Sequence, residues 1–264
     1  YCSSRNSPVP EITTAFREID SKTQGYRRGV ITAIGAWTSG GKTTFLINSM
    51  LSNLRANKKV VYMSTEISEN QVITKMLSNM IGAYYKDIER GDINFDANLE
   101  QIDKWRQNNL LYIYDEPAIN SSTVKLLISA YKPDLLIIDH IHEINMTSNN
   151  VFYLITSFLN DVRTIIKDND CACVMAAQFS RPARYLDKNT GKMVVNREPS
   201  LYDFKGCGEI ENKSNTALLL SYLKEDIEDG KHLLKCNIAK CRDGEKGVVN
   251  LVWDWKKTKL EEIK

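Results

Sequence analysis

No apolar run in this 264-residue chain approaches the roughly 20 residues that a membrane-spanning helix needs; Leu135-Leu136-Ile137-Ile138 is typical of the longest. A secretory signal pattern is also missing, so the expected setting is the cytoplasm or an equivalent compartment, without a membrane partner. Six cysteines, at positions 2, 171, 173, 207, 236 and 241, include no Cys-x-x-Cys pair. That excludes a zinc ribbon or a thioredoxin-like motif and leaves reduced, structural thiols. Neither charge sign dominates: 35 Lys and Arg face 33 Asp and Glu, a formal net charge of +2. Any contact with nucleic acid must therefore come from local basic clusters. The chain starts at Tyr1 rather than Met, from which we expect a fragment or processed chain with an upstream domain.

What is present is an alternation. With 42% hydrophobic and 26% charged residues, the chain has the composition of one large α/β domain. Strand-like runs precede helical patterns: 29–35 before a helix over 42–57, 59–64 before 69–82, 110–114 before 121–131, and 135–139 before 151–168, with a further strand over 171–177. This rhythm predicts a mostly parallel central sheet flanked by helices. Ser68-Glu69-Asn70-Gln71 reads as a capping box opening the second helix. Glu66 then stands at the carboxyl end of a strand, where open α/β sheets collect ligands.

Between the first strand and the first helix lies Ala36-Trp37-Thr38-Ser39-Gly40-Gly41-Lys42-Thr43, followed by Thr44, a phosphate-binding loop in its strand-to-helix setting. Gly40 and Gly41 let successive backbone N–H groups converge on phosphate oxygens at a helix N-terminus. Lys42 is expected to bridge the β- and γ-phosphates, and Thr43 to hold Mg²⁺. The usual pattern begins with Gly, but Ala36 stands at that place and Gly35 is displaced by one.

Two runs that end in an acid compete to be the magnesium-holding strand, Leu110 to Glu116 and Asp134 to His140. Pattern alone does not separate them. The second is more uniformly aliphatic, as a strand buried on both faces requires, which favours Asp139 and leaves Asp115-Glu116-Pro117 as a strand-end turn. Glu66 is placed to orient or deprotonate water. From Phe179 to Lys205 the periodicity disappears, predicting a long functional loop. The tail reads as two strands, 233–241 and 248–255, joined by a hairpin turn over 243–247.

These segments resemble the RecA-like motor domain of hexameric replicative helicases, the DnaB family with the phage and Twinkle-like primase–helicases, over nearly the whole chain. Ile12 to Asp20 is similar to the family's lead-in and Ala36 to Thr44 to its nucleotide loop, which there often starts with Ala. Met63 to Ser68 resembles the segment carrying the catalytic glutamate, Leu136 to His140 the magnesium-binding strand, and Ala176 to Arg181 the sensor strand. Ser200 to Asn212 is similar to the segment that follows the DNA-binding loop, and Ile238 to Gly244 to the Lys-x-Arg hairpin.

The resemblance implies one RecA-like ATPase domain over 1–264, with a lead-in over 1–28, a DNA-binding loop over 179–205, and a primase or interaction domain upstream. It implies Glu66 as catalytic base, Thr43 and Asp139 on Mg²⁺, and Gln178 on the γ-phosphate of ATP or another NTP. Lys240 and Arg242 would enter a neighbouring copy's site, Arg242 as arginine finger, in a ring of six. Single-stranded DNA would meet Arg181, Arg184, Lys188, Lys192 and Arg197, and the stretch 145–150 falls where the family has its other channel loop. Primase is a further expected partner, in a bacterial or phage-infected cell or an organelle matrix. Two other classes stay open: a RecA/RadA-like ATPase that binds single strands without unwinding, and a non-hydrolytic nucleotide-gated assembly module.

Overall fold

Strands covered on both faces need continuous apolar runs, and Ile31–Ala36 and Leu135–Asp139 are buried at every position. The computed structural model describes residues 10–116, 119–143, 151–180, 184–186, 193–195, 198–205, 208–228 and 230–263. Along the chain these form α1 (Arg17–Thr23), β1 (Ile31–Ala36), α2 (Lys42–Arg55), β2 (Val60–Ser64), α3 (Glu69–Ile81), α4 (Tyr85–Arg90), α5 (Asp96–Gln107) and β3 (Leu111–Tyr114). Then come α6 (Ser121–Tyr131), β4 (Leu135–Asp139), α7 (Val151–Asp168), β5 (Ala172–Gln178), β6 (Arg184–Leu186), β7 (Met193–Val195), α8 (Glu209–Lys213), β8 (Thr216–Glu228), β9 (Lys231–Cys241), β10 (Gly247–Asp254) and β11 (Lys259–Glu262). Single 3-10 turns occupy Ile141–Glu143 and Leu201–Asp203.

The main sheet runs β11-β10-β9-β8-β1-β5-β4-β2-β3. From β8 to β3 every neighbouring pair is parallel, and from β8 to β11 every pair is antiparallel. The mostly parallel α/β architecture is thus as expected, and the C-terminal hairpin β9–β10 belongs to an antiparallel extension of the same sheet. Alternate residues feed two cores. Val60, Tyr62, Leu135, Ile137, Val174 and Ala176 face the layer under α2, whereas Val61, Met63, Leu136, Ile138, Cys173 and Met175 face the layer under α6 and α7. Phe45, Leu46, Met50 and Leu54 on α2 have no exposed surface. Truncating one such Leu or Met to Ala costs about 2–5 kcal/mol, so α2, and the loop that feeds it, are firmly held.

The ladder also aligns the functional ends. Ala36 is opposite Gln178 and Ser64 is opposite Asp139, so β1, β5, β4 and β2 finish together at one edge.

Elsewhere the architecture departs from the expected pattern. The interval between Gly82 and Leu110 holds α4 and α5; only Ile102 and Trp105 of α5 are buried, too sparse an apolar stripe to announce a helix. The expected structureless loop over 179–205 contains the antiparallel pair β6–β7 and a 3-10 turn closed by a Ser200–Asp203 capping box. The 13-residue strand β8 is a further element beyond the expected set, because its apolar start gives way to the charged run Lys224-Glu225-Asp226. Cys171, Cys173, Cys236 and Cys241 are free thiols, as expected.

Candidate functional site

After β1 the chain turns at Gly40, whose N–H donates to the Trp37 carbonyl at 3.0 Å, and enters α2 through Gly41 at φ 84°, a conformation that glycine adopts without steric cost. No side chain caps α2 among the described residues, which leaves its first N–H groups for an anion. Ala36 needs no glycine: it is an ordinary strand residue opposite Gln178. Gly35 answers a different constraint. A Cβ on it would lie 2.3 Å from Phe179 Cε1 and 2.7 Å from Phe204 Cε1, the two rings that pack edge-to-face over this strand.

Lys42 folds back along the loop, its ammonium donating to the carbonyls of Ala36 (3.3 Å) and Trp37 (3.2 Å). Burial pulls the Lys42 ammonium below the usual lysine value, and the nearby Asp139 and Glu66 carboxylates oppose that shift. The Thr43 hydroxyl donates to Asp139 Oδ2 at 2.7 Å, and the buried Tyr62 hydroxyl donates to the same oxygen at 2.8 Å. Burial pushes the Tyr62 phenol well above its usual value, so it remains a donor. Asp139 Oδ1 is buried without a hydrogen-bond partner among the described residues. The ends of β2 and β4 are laced together: Thr65 N–H donates to the Asp139 carbonyl at 2.8 Å, and His140 N–H donates to Thr65 Oγ1 at 2.9 Å. Glu66, half exposed, stands at the mouth with Oε1 3.3 Å from His140 Nε2. Asp115, the competing acid, lies elsewhere: its Oδ2 accepts from Glu69 N–H at 2.8 Å and so holds the first turn of α3.

From β5 the Gln178 amide donates to Thr38 Oγ1 on the loop. Thr38, Ser39, Gly40, Gly41, Lys42, Thr43, Thr44, Glu66 and Gln178 therefore line one cleft of about 560 Å³. Its remaining wall is not anticipated by motif. Tyr222 of β8, His232 of β9 and Trp253 of β10 pack ring to ring at 5.3–6.0 Å, and the Tyr222 hydroxyl donates to the Ser39 carbonyl at 2.7 Å. Lys75 of α3 adds a part-buried cation 5.2 Å from the Tyr85 ring centroid. The available signal is the pair Trp253 and Trp255 at the end of β10, both of which line the cleft.

Lys240 and Arg242 do not join this cleft in their own chain. The Lys240 ammonium donates to the Glu211 carbonyl, and Arg242 Nη2 donates to the Asn212 carbonyl at 3.1 Å. Arg242 N–H donates to the Asn215 carbonyl, and Asn215 N–H to the Ile31 carbonyl, so Arg242 is level with the beginning of β1. The phosphate loop begins beyond the other end of that strand, about 17 Å along it at 3.3 Å per residue. Of the basic residues expected to meet DNA, Arg184 is a backbone position in β6, while Arg181, Lys188, Lys192 and Arg197 lie outside the described residues, as does the stretch 145–150. No helix among the described residues is long and apolar enough to cross a membrane.

A family model described as the DnaB-like helicase C-terminal domain matches residues 11–262. A replicative DNA helicase DnaB from Helicobacter pylori is 24% identical over 221 residues, which cover 80% of this chain and 44% of that protein. The chain thus spans less than half the length of this relative. Among solved structures, the ATPase domain of G40P superposes with a TM-score of 0.82 at 19% identity, covering 98% of this chain and 94% of that one. A DnaB-like replicative helicase, solved in a study of its interactions with primase, gives the same TM-score and identity, covering 98% of this chain and 64% of that one. The match over residues 11–262, on a fold shared with these two structures, establishes that the chain belongs to the DnaB-like helicase C-terminal domain family.

Proposed function

We propose that this chain is the motor of a replicative DNA helicase, hydrolysing ATP or another NTP with Mg²⁺ at interfaces between copies, translocating on single-stranded DNA and separating the duplex. The observation that carries the reading is the meeting of Lys42, Thr43, Asp139, Glu66 and Gln178 around one cleft at the carboxyl edge of the sheet.

The residues suit the metal. The unpartnered Asp139 Oδ1 and the Thr43 hydroxyl are hard oxygen donors of the kind Mg²⁺ takes. Bound there, magnesium supplies neutralisation of charge on the β- and γ-phosphate oxygens. Lys42 exchanges its two carbonyl contacts for those oxygens. Glu66 at the mouth accepts the proton of the attacking water, and Gln178 reaches the γ-phosphate from β5. The aromatic wall of Tyr222, His232 and Trp253 takes the apolar end of the nucleotide.

Arg242, remote from its own loop, serves the next copy's site, where a planar guanidinium in trans contributes roughly 10³–10⁵ in rate. Such head-to-tail contacts close into a ring, of six copies in this reading. The basic residues Arg181, Arg184, Lys188, Lys192 and Arg197 track the DNA backbone, and primase is the first protein partner to test. The experiment is a forked-duplex unwinding assay on the full-length protein, with native mass measurement alongside. A closed ring that unwinds with NTP supports the reading; NTP turnover on single strands without strand separation replaces it with the RecA/RadA-like alternative.

A further inference from the structure

His142, on the 3-10 turn after β4, is buried and has no assigned part in nucleotide chemistry. Its ring is spent on two other segments. Gln178 N–H donates to His142 Nδ1 at 3.3 Å, which puts the ring hydrogen on Nε2, and Nε2 lies 2.7 Å from the Lys205 carbonyl that accepts it. Burial holds this imidazole neutral, with its pKa lowered to about 4. Lys205 N–H in turn donates to the Gln178 carbonyl at 2.9 Å. Both backbone polar groups of Gln178 are therefore tied to Lys205, one directly and one through the imidazole.

We propose that His142 is a positioning residue that fixes the end of β5, so that displacement of the Phe179–Lys205 segment is transmitted to the Gln178 side chain at Thr38 of the phosphate loop. The inference rests on the proposed reading of this cleft as an NTPase site answering to DNA. Three features of the structure support it. The two hydrogen bonds use opposite ring nitrogens, so a rotation of the ring breaks both. Ser180 N–H donates to the Asp203 carbonyl at 2.7 Å, which pairs the outgoing and returning chain beside the imidazole. Phe179 and Phe204 pack against each other over Gly35, joining the same two chain ends to β1. The linkage thus runs through bonded contacts from Lys205 to Thr38.

The test compares His142→Leu and His142→Gln in the full-length protein. Glutamine can accept from Gln178 N–H and donate to Lys205; leucine fills the space with neither group. Leucine should lower the single-strand-stimulated kcat roughly tenfold, as loss of a buried hydrogen-bonded pair implies, with the KM for nucleotide within about twofold. Hydrogen exchange at the Gln178 amide should accelerate in the same variant, and glutamine should restore both readouts. Wild-type exchange at Gln178 in the leucine variant, or a glutamine variant as impaired as leucine, overturns the inference. A wild-type protein that turns over NTP without any response to DNA removes the helicase reading instead, while exchange at Gln178 and the unstimulated kcat still decide the role of His142.

Discussion

The Thr43 hydroxyl donates to Asp139 Oδ2 at 2.7 Å across 96 residues of sequence, while Oδ1 of the same carboxylate is buried without a partner among the described residues. One oxygen is thus fixed by the loop, and the other is left to take a ligand. Asp139→Asn keeps the shape and removes the charge. It should raise the Mg²⁺ concentration for half-maximal NTP hydrolysis and lower kcat by roughly 100-fold or more, since a bound cation supplies several kcal/mol to such a transition state. Asp115→Asn should only loosen the start of α3, by about 1 kcal/mol of stability. Steady-state hydrolysis against Mg²⁺ concentration separates the two. A magnesium defect in the Asp115 variant and none in the Asp139 variant would reverse the assignment.

That choice shows where sequence pattern runs out. The unbroken aliphatic run of Leu135–Asp139 suits a strand between two others, and β4 does lie between β5 and β2. Tyr112 and Tyr114 suit a less buried strand, and β3 is at the edge of the sheet. The nucleotide loop was legible because a contiguous motif sits between a strand and a helix. Its aromatic wall was not, because Tyr222, His232 and Trp253 come from three strands and meet only through the β8–β9–β10 pairing. His142 was equally silent, since its partners Gln178 and Lys205 lie 36 and 63 residues away.

Gly35 offers a test of the packing that supports the loop. It is paired on both sides, to Ala177 and Leu219, in the middle of the sheet, so the backbone has no room to withdraw. Gly35→Ala should destabilise the protein by about 1–3 kcal/mol, the usual cost of forcing a methyl into a filled core. Denaturant unfolding should show a lower midpoint with an unchanged slope. An unchanged midpoint would mean that the Phe179 and Phe204 rings move aside freely.

His142 sets a pH dependence of stability. Its folded-state value, about 4, lies below the ordinary imidazole value near 6.5, chiefly through burial; His140, Lys205 and Lys42 also face it and disfavour its cation. Between those values the unfolded chain binds more protons than the folded one, so stability rises with pH. The contribution is fully present above about pH 6.5 and is lost as pH falls through the window towards 4, by roughly 2 kcal/mol between pH 7 and 5. Unfolding free energies of wild type and His142→Gln, taken at both pH values, should differ in slope by that amount. Parallel curves would show that His142 titrates alike in both states.

Arg242 and Lys42 are separated in one chain by most of the length of β1, yet a phosphoryl-transfer site of this kind uses both. If each site takes Lys42 from one copy and Arg242 from the next, Arg242→Ala and Lys42→Ala should each abolish DNA-stimulated hydrolysis when alone, with Arg242→Ala leaving nucleotide affinity nearly intact. An equal mixture behaves differently. About a quarter of randomly formed head-to-tail interfaces then pair an intact Lys42 with an intact Arg242, so hydrolysis should return towards that fraction of the wild-type rate. The recovery must grow with time of subunit exchange and vanish if the two variants are cross-linked into separate rings before mixing. No recovery under free exchange would place Arg242 in its own subunit's chemistry or outside catalysis. The first of those outcomes requires a movement of β9 against β8 that their long antiparallel ladder opposes.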